Sequence, residues 1–384
     1  MNAHLIICAP GVHASIQDRG RFGLRRVGVP WSGALDPQLL AIANALVGNP
    51  CGHAAIECFD GGQVFEALDA PLRLAVAGDA RLQRISPERD STPAASGMAS
   101  LAGIPSLAEH DDDPTPLAWR SLTLLPGQRL RIVTIAPRRI AIVAVAGLVV
   151  PHTLGSASTY ARAGIGGCHG RALAAGDALP VEQETAPSTR QRMLPTPPEP
   201  PDGASTGDTP PRTVRVVPGP QQSHFEDDVF DAFLAATYRV DAAADRMGMR
   251  LQGPPLCHRA GYGHEIVSDA IVPGAIQVPG NGLPIILLAD AQTAGGYPKI
   301  ATVITADLGR VAALRPGDAL RFEAVDAETG ARIARAQAAE VERLLGTIRD
   351  DSPPSTRARV DLDALYRDNL VSGVVNALDT DPAV

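Results

Sequence analysis

Along the chain, apolar residues gather in short runs bounded by Gly, Pro or Asp: Leu72 to Ala77, Arg129 to Ile135, Ile140 to Ala146, Val214 to Val217, Pro284 to Leu288 and Ala319 to Phe322. Runs of that length between turn formers predict strands. A shorter signature recurs as LLPGQRLRI (124–132), LAAGDALP (173–180) and LRPGDALRF (314–322). In each, a glycine at the tip supplies the positive φ that a tight turn needs before a strand begins. Helical periodicity is rarer. DPQLLAIANALV (36–47) opens with an Asp N-cap and a proline at the first helical position, and places Leu39, Leu40, Ala43 and Leu46 on one face. Further helices are predicted over about Glu226 to Ala236 and Ala338 to Ile348, with Asp361 to Arg367 and Leu370 to Leu378 as a docked tail. The pattern predicts a β-dominated α+β fold, most simply two β-barrel domains with few helices.

Two segments interrupt this pattern. Residues 86–116 and 186–212 are rich in Pro, Ser, Thr, Gly and acidic residues, without the apolar periodicity to pack a core. The first reads as an insertion in an N-terminal domain over 1–185 and the second as a linker. A C-terminal domain over 213–326 and a helical tail over 327–384 follow.

At 384 residues, two domains of ordinary size are expected. The formal net charge of −8 offers no basic field for nucleic acid or an anionic membrane, so partners are expected among small molecules and proteins. The five cysteines are scattered without a C-x-x-C pair, which points to a reducing cytoplasm and marks neither a disulfide framework nor a metal site. The start lacks a signal-peptide pattern, and no apolar run approaches the ~20 residues of a membrane span. One bias is more informative. Of the 34 basic residues, Lys299 is the only lysine, which singles out a position where a compact ammonium is needed and a planar guanidinium does not serve.

Polar residues concentrate in four places. The stretch IQDRGRFGLRRVGVPWSGALD (16–36) sets Gln17, Asp18 and Arg21 among glycines that let a backbone approach a ligand, with the Asp orienting the guanidinium groups. Competing with an anion site there is a plain tight loop before the helix, with Asp36 as its cap. In TLGSASTYARAGIGGCHGRALAAGD (153–177), Ser156, Ser158 and Thr159 precede a glycine-rich turn of the kind that forms anion-binding nests, although no Walker A loop occurs. Cys168 and His169 are neighbours there without a recognisable motif. The segment 244–256 adds Arg246 and Arg250 beside Asp245. In 268–308 an apolar strand leads to Asp290, Gln292 and Thr293, then to Gly295, Gly296, Tyr297 and Lys299, with Gln277 earlier in the run. Polar groups delivered by a rigid strand into an open loop are what a binding site requires.

Taken in order, QDRGRFGLRRVGVPWSGALD, ANALVGNP, LGSAST, GRALAAGD, DRMGMRL, GAIQVPGNGLPIILLADAQTAGGYPKIATVITADL and LRPGDALRF resemble the biotin-dependent carboxyltransferase-like family. That family groups the C component of 5-oxoprolinase with the sporulation kinase inhibitor antagonist and an allophanate-hydrolase-like segment of urea amidolyases. The resemblance covers about residues 5–325 outside the two polar segments. It implies two cyclophilin-like β-barrel domains, partner subunits A and B with B in direct contact, and ATP-dependent opening of 5-oxoproline to glutamate. ATP and Mg²⁺ would then enter through the complex. Phosphate and a developing oxyanion would need neutralising, for which Arg21, Arg246, Arg250 and Lys299 are the candidates, oriented by Asp290 or Asp18. The sequence departs from the family pattern at Gly78-Asp79, at Ala146-Gly147-Leu148 and in the 86–116 insertion. Two other readings stand beside the first: carboxyl transfer from carboxybiotin, and a non-catalytic regulator that binds a kinase-inhibitor-like protein. For carboxyl transfer a separate carrier is needed, because Lys299, between Pro298 and Ile300, is not a biotin-accepting lysine.

Overall fold

The computed structural model describes residues 3–87, 117–182, 191–198 and 210–351. Nearly all of the expected insertion, most of the 186–212 linker and the two expected tail helices lie outside the described residues. The described chain is strand-dominated α+β, as the run lengths predict.

The N-terminal half is built from two five-stranded antiparallel sheets. One has the order Ala178–Val181, Ala3–Pro10, Gln63–Leu68, Arg129–Ile135, Ala80–Ile85, and the other His13–Gln17, Ala55–Phe59, Ile140–Val145, Leu72–Ala77, Ser121–Leu124. They face each other across one apolar core, to which the first contributes Leu5, Ile7, Phe65 and Ile132 and the second Ile16, Ile56, Val76 and Val143. The helix Pro37–Val47 covers the outer side of the second sheet, over Leu72–Ala77 and Ile140–Val145. Those strands are therefore largely buried on both faces, which is why they read as near-continuous apolar runs, interrupted only by Arg73. The helix starts as expected: the Asp36 carboxylate accepts hydrogen bonds from the Gln38 and Leu39 amides.

The C-terminal half is a closed seven-stranded barrel. Its strands are, in order around the barrel, Arg212–Pro218, Lys299–Val303, Ala275–Gln277, Ile285–Leu287, Gly248–Gln252, Tyr238–Val240 and Ala319–Ala324. The first and last close it by pairing in parallel, with Val214 opposite Phe322. Phe233, from the short helix Val229–Ala235, stacks on Phe322 with ring centroids 4.4 Å apart. A single apolar cluster continues from the helix Pro37–Val47 through Phe59 and Ile142 into the barrel residues Val216, Leu251 and Ile286, so the two halves share a core.

The recurrent Leu-x-x-Gly signature folds as one turn used three times. Gly127, Gly176 and Gly317 take φ of 80, 90 and 89°. In each, the side chain after the glycine accepts from an amide three residues earlier: Gln128 from Leu125 at 2.9 Å, Asp177 from Ala174 at 2.8 Å, and Asp318 from Arg315 at 2.9 Å.

One helix departs from expectation. The element predicted over 338–348 spans Ala327–Gly346, capped by Asp326, whose carboxylate accepts from the Thr329 amide. Its first half has almost no apolar stripe for a periodicity search to find. Alanine-rich sequence forms helix from intrinsic propensity instead, and Gly330 lets it settle against Ile304. Among the described residues no helix is long and apolar enough to cross a membrane.

Candidate active site between the halves

The strand His13–Gln17 alternates strictly: Ala14 and Ile16 enter the core, while His13, Ser15 and Gln17 point the other way. That second face forms one wall of a cavity of about 300 Å³. The rest comes from Phe59 and Arg139, from Thr159 to Arg162, and, across the junction, from the C-terminal residues 244–247 and Asp290. Arg246 and Asp290 arrive side by side because the antiparallel pair Gly248–Gln252 and Ile285–Leu287 runs on past its last register, with the Asp290 amide donating to the Arg246 carbonyl.

Arg246 is the bolt between the halves. Its Nε and Nη2 reach Asp290 at 2.9 and 3.2 Å, its Nη2 donates to the Gly33 carbonyl at 2.7 Å, and its Nη1 donates to Glu57. Glu57 is fully buried and also accepts from the Leu35 amide at 2.7 Å. Burial opposes the charge on Arg246, but the two carboxylates outweigh it and raise the pKa of the guanidinium further.

Behind this wall lies a second hub. Asp18 accepts from Ser156 Oγ at 2.6 Å, Ser158 Oγ at 2.5 Å, and the Gly20 and Ala157 amides at 2.7 Å each. Burial pushes its pKa up, yet these four donors together hold the carboxyl below its ordinary range. Arg21, 1% exposed, donates to the Thr153 and Ser158 carbonyls. Its pKa is lowered by burial. The glycine-rich turn closes over this hub. Gly166 and Gly167 have φ of 69 and 57°, and a Cβ on either would run into Ser158 and Arg21 or into Thr159 Oγ1. The glycines therefore serve close packing of the hub.

The structure brings together Gln17, Thr159, Arg246 and Asp290 at the cavity, with Asp18, Arg21, Ser156 and Ser158 directly behind. It does not bring Lys299 there. Lys299 opens a barrel strand, its side chain 4% exposed, and its ammonium lies 2.8 Å from Asp269 Oδ2. Gln277 donates to the Tyr297 carbonyl at 3.4 Å, the Thr293 carbonyl accepts from the Ile271 amide, and Gly295 pairs with Asp269. With Gln292 and Gly296 these residues form a separate polar cluster that does not line the cavity. Arg250 is exposed on its strand and does not line the cavity. The departures from the family pattern also have local partners: Asp79 binds Arg138 at 2.8 Å, and Gly147 packs tightly against Glu182.

Three residues carry a signal that was there to be read. His13 and Ser15 belong to the alternation in HASIQ, and Glu57 is a lone charge inside the apolar run AIECF. Four buried polar atoms of the cavity wall have no partner in the protein among the described residues: His13 Nε2, Gln17 Oε1, Thr159 Oγ1 and Arg139 Nε. Such atoms cost about 1–3 kcal/mol each unless a ligand satisfies them. Burial, followed by the positive Arg246, lowers the pKa of His13 and keeps its imidazole neutral. Arg162 stands exposed in the cavity wall with neither an ion pair nor a hydrogen bond among the described residues.

Comparison with known proteins agrees with this architecture. A family model for the carboxyltransferase domain, subdomains A and B, matches residues 27–324. The chain is 32% identical over 349 residues to the C component of 5-oxoprolinase from Escherichia coli, covering 91% of this chain and 100% of that one. It is 28% identical over 355 residues to urea amidolyase of Lachancea kluyveri, covering 88% of this chain and 18% of the other. The crystal structure of Kluyveromyces lactis urea amidolyase superposes with a TM-score of 0.70 at 25% identity, over 89% of this chain and 20% of that chain. The chain thus spans about a fifth of the urea amidolyases while matching the E. coli protein end to end. By the family model and by this full-length likeness, the chain belongs to the carboxyltransferase domain A and B family.

Proposed function

We propose that this chain is the C component of an ATP-dependent 5-oxoprolinase and that the cavity between its halves holds the lactam. The observation that carries the reading is the match, over 100% and 91% of their lengths, to two relatives of that name. The chemistry of the cavity supports it. A five-membered lactam presents its N–H and C=O on one edge, and Gln17 Oε1 with Thr159 Oγ1 offers an unpaired acceptor beside a hydroxyl. The guanidinium of Arg162 suits the substrate carboxylate. Opening the ring adds water across the C–N bond, with the hydroxyl ending on carbon and one proton on nitrogen. Neutral His13 is the group in the wall able to take up the proton of the attacking water and return it to the nitrogen.

The cavity does not suit a magnesium nucleotide. At about 300 Å³ it lies at the small end of ligand pockets, enough for a lactam and tight for a nucleoside triphosphate. We therefore assign ATP and Mg²⁺ to the partner subunits, A and B, with B in contact with this chain. A cytoplasmic site of action fits five unpaired cysteines.

The test is glutamate release from 5-oxoproline with ATP and Mg²⁺. No turnover is expected from the purified chain, and turnover is expected with subunits A and B added. Complete turnover by the chain alone overturns the division of labour. Inactivity of the full mixture favours carboxyl transfer, which the likeness to urea amidolyase supports, or a regulatory role. Within the active complex, Arg162→Gln should raise KM by roughly ten- to a hundredfold with kcat little changed, because a charge-assisted bond worth about 1.5–3 kcal/mol is lost from ground and transition states alike. An unchanged KM would remove Arg162 from the substrate site.

A further inference from the structure

The fold assembles a group of side chains that no sequence motif marks. Cys168 and His169 sit on the glycine-rich turn, and Asp177 on the turn that follows it. One ligand atom from each, thiol sulfur, imidazole nitrogen and carboxylate oxygen, lies within 4.8 Å of the others. Among the described residues this is the single place where three such groups converge. We propose that Cys168, His169 and Asp177 bind one divalent cation of the zinc class, leaving a fourth position open.

The donor set fits that class. Sulfur, imidazole and carboxylate together suit zinc better than calcium or magnesium, which take oxygen ligands. Ligand atoms around a tetrahedral zinc, at bond lengths of about 2.0–2.3 Å, stand roughly 3.3–3.8 Å apart. The ligand atoms must draw closer than the 4.8 Å bound observed, and His169, which is exposed, is the one with space to move toward the others. His169 also keeps a side chain at φ 63°, a left-handed backbone that a glycine would adopt at no cost.

Asp177 is already oriented. Arg171 Nη1 and Nη2 reach its two oxygens at 2.8 Å each, and the Ala174 amide donates to Oδ2 at 2.8 Å. Oδ1 thus has one partner and a lone pair left over. Arg171 can remain in place as the outer partner of a ligating carboxylate, the arrangement that fixes ligands in metal sites. A cation here would fasten the glycine-rich turn to the 174–177 turn. Because Gly167 packs on Thr159, it would also stiffen the wall of the cavity.

The experiment is titration of the whole purified chain with Co²⁺, followed by displacement with Zn²⁺. One equivalent of Co²⁺ should give a thiolate-to-cobalt charge-transfer band in the wild type and in Cys257→Ser, and none in Cys168→Ser. His169→Ala, which removes an exposed ring and leaves the fold alone, should weaken Zn²⁺ binding at least tenfold. Zn²⁺ should raise the melting temperature of the wild type and not of Cys168→Ser. A competing pair exists in His258 and His264, whose Nδ1 atoms are 3.4 Å apart. Absence of the band, its survival in Cys168→Ser, or loss of Zn²⁺ binding in His264→Ala with retention in His169→Ala overturns the proposal.

Discussion

Arg246→Met is expected to destabilise the chain by about 3–5 kcal/mol, the range observed when one partner of a buried ion pair is removed. The reason is the inventory around the guanidinium. Glu57 is fully buried and Asp290 nearly so, and Arg246 is the cation that both touch. Without it, two carboxylates face each other in an apolar setting, and the Gly33 carbonyl loses its donor. Methionine fills most of the volume, so the loss reports charge and not a void. Urea denaturation of the purified chain measures it, and Arg246→Met with Glu57→Gln should recover part of the loss by removing one uncompensated charge. A loss below about 1 kcal/mol would place the pair among weak surface bridges. Because the same residues join the halves at the cavity, complex activity should fall with stability.

Asp18→Asn is expected to cost about 2–4 kcal/mol at neutral pH, since an amide cannot accept from four donors as a carboxylate does and turns a nitrogen toward some of them. The pH dependence follows from the sign of the shift. The folded carboxyl has a pKa below the unfolded value of about 3.9, so its contribution is complete above that value and is lost as pH falls through the lower folded pKa. Wild type and variant should therefore differ most near neutrality and converge in acid. Melting curves from pH 7 to 2 test this, and a difference that stays constant across the range would show that Asp18 acts by shape and not by charge.

The sequence made some of this plain. Strands covered by the helix announced themselves as near-continuous apolar runs, and the three turn signatures announced shared turn chemistry, because both are local consequences of burial and φ. Gln17, Thr159, Arg246 and Asp290 were legible as polar residues beside glycines or at strand ends. Lys299 shows where such reasoning stops. Its rarity singled the position out, and the structure sets its ammonium against Asp269, yet composition does not say what a lone lysine will face. Glu57 and His13 went unseen for a related reason: each depends on what lies opposite in the other half, and Arg246 is 189 residues from Glu57. Local pattern marks these residues as out of place in apolar strands, but residue spacing along the chain does not say which residues of the other half they meet.

The parallel seam that closes the barrel has a consequence for how the protein comes into being. Arg212–Pro218 is made early and Ala319–Ala324 late, and neither edge of the barrel is covered until they meet. Long-range pairing of this kind is slow, since the loop must close before any contact rewards it. On the ribosome the N-terminal sheets can pair first, while the nascent barrel waits with two bare strand edges. That interval, and not the finished molecule, is where the chain is most exposed to aggregation and most in need of chaperones.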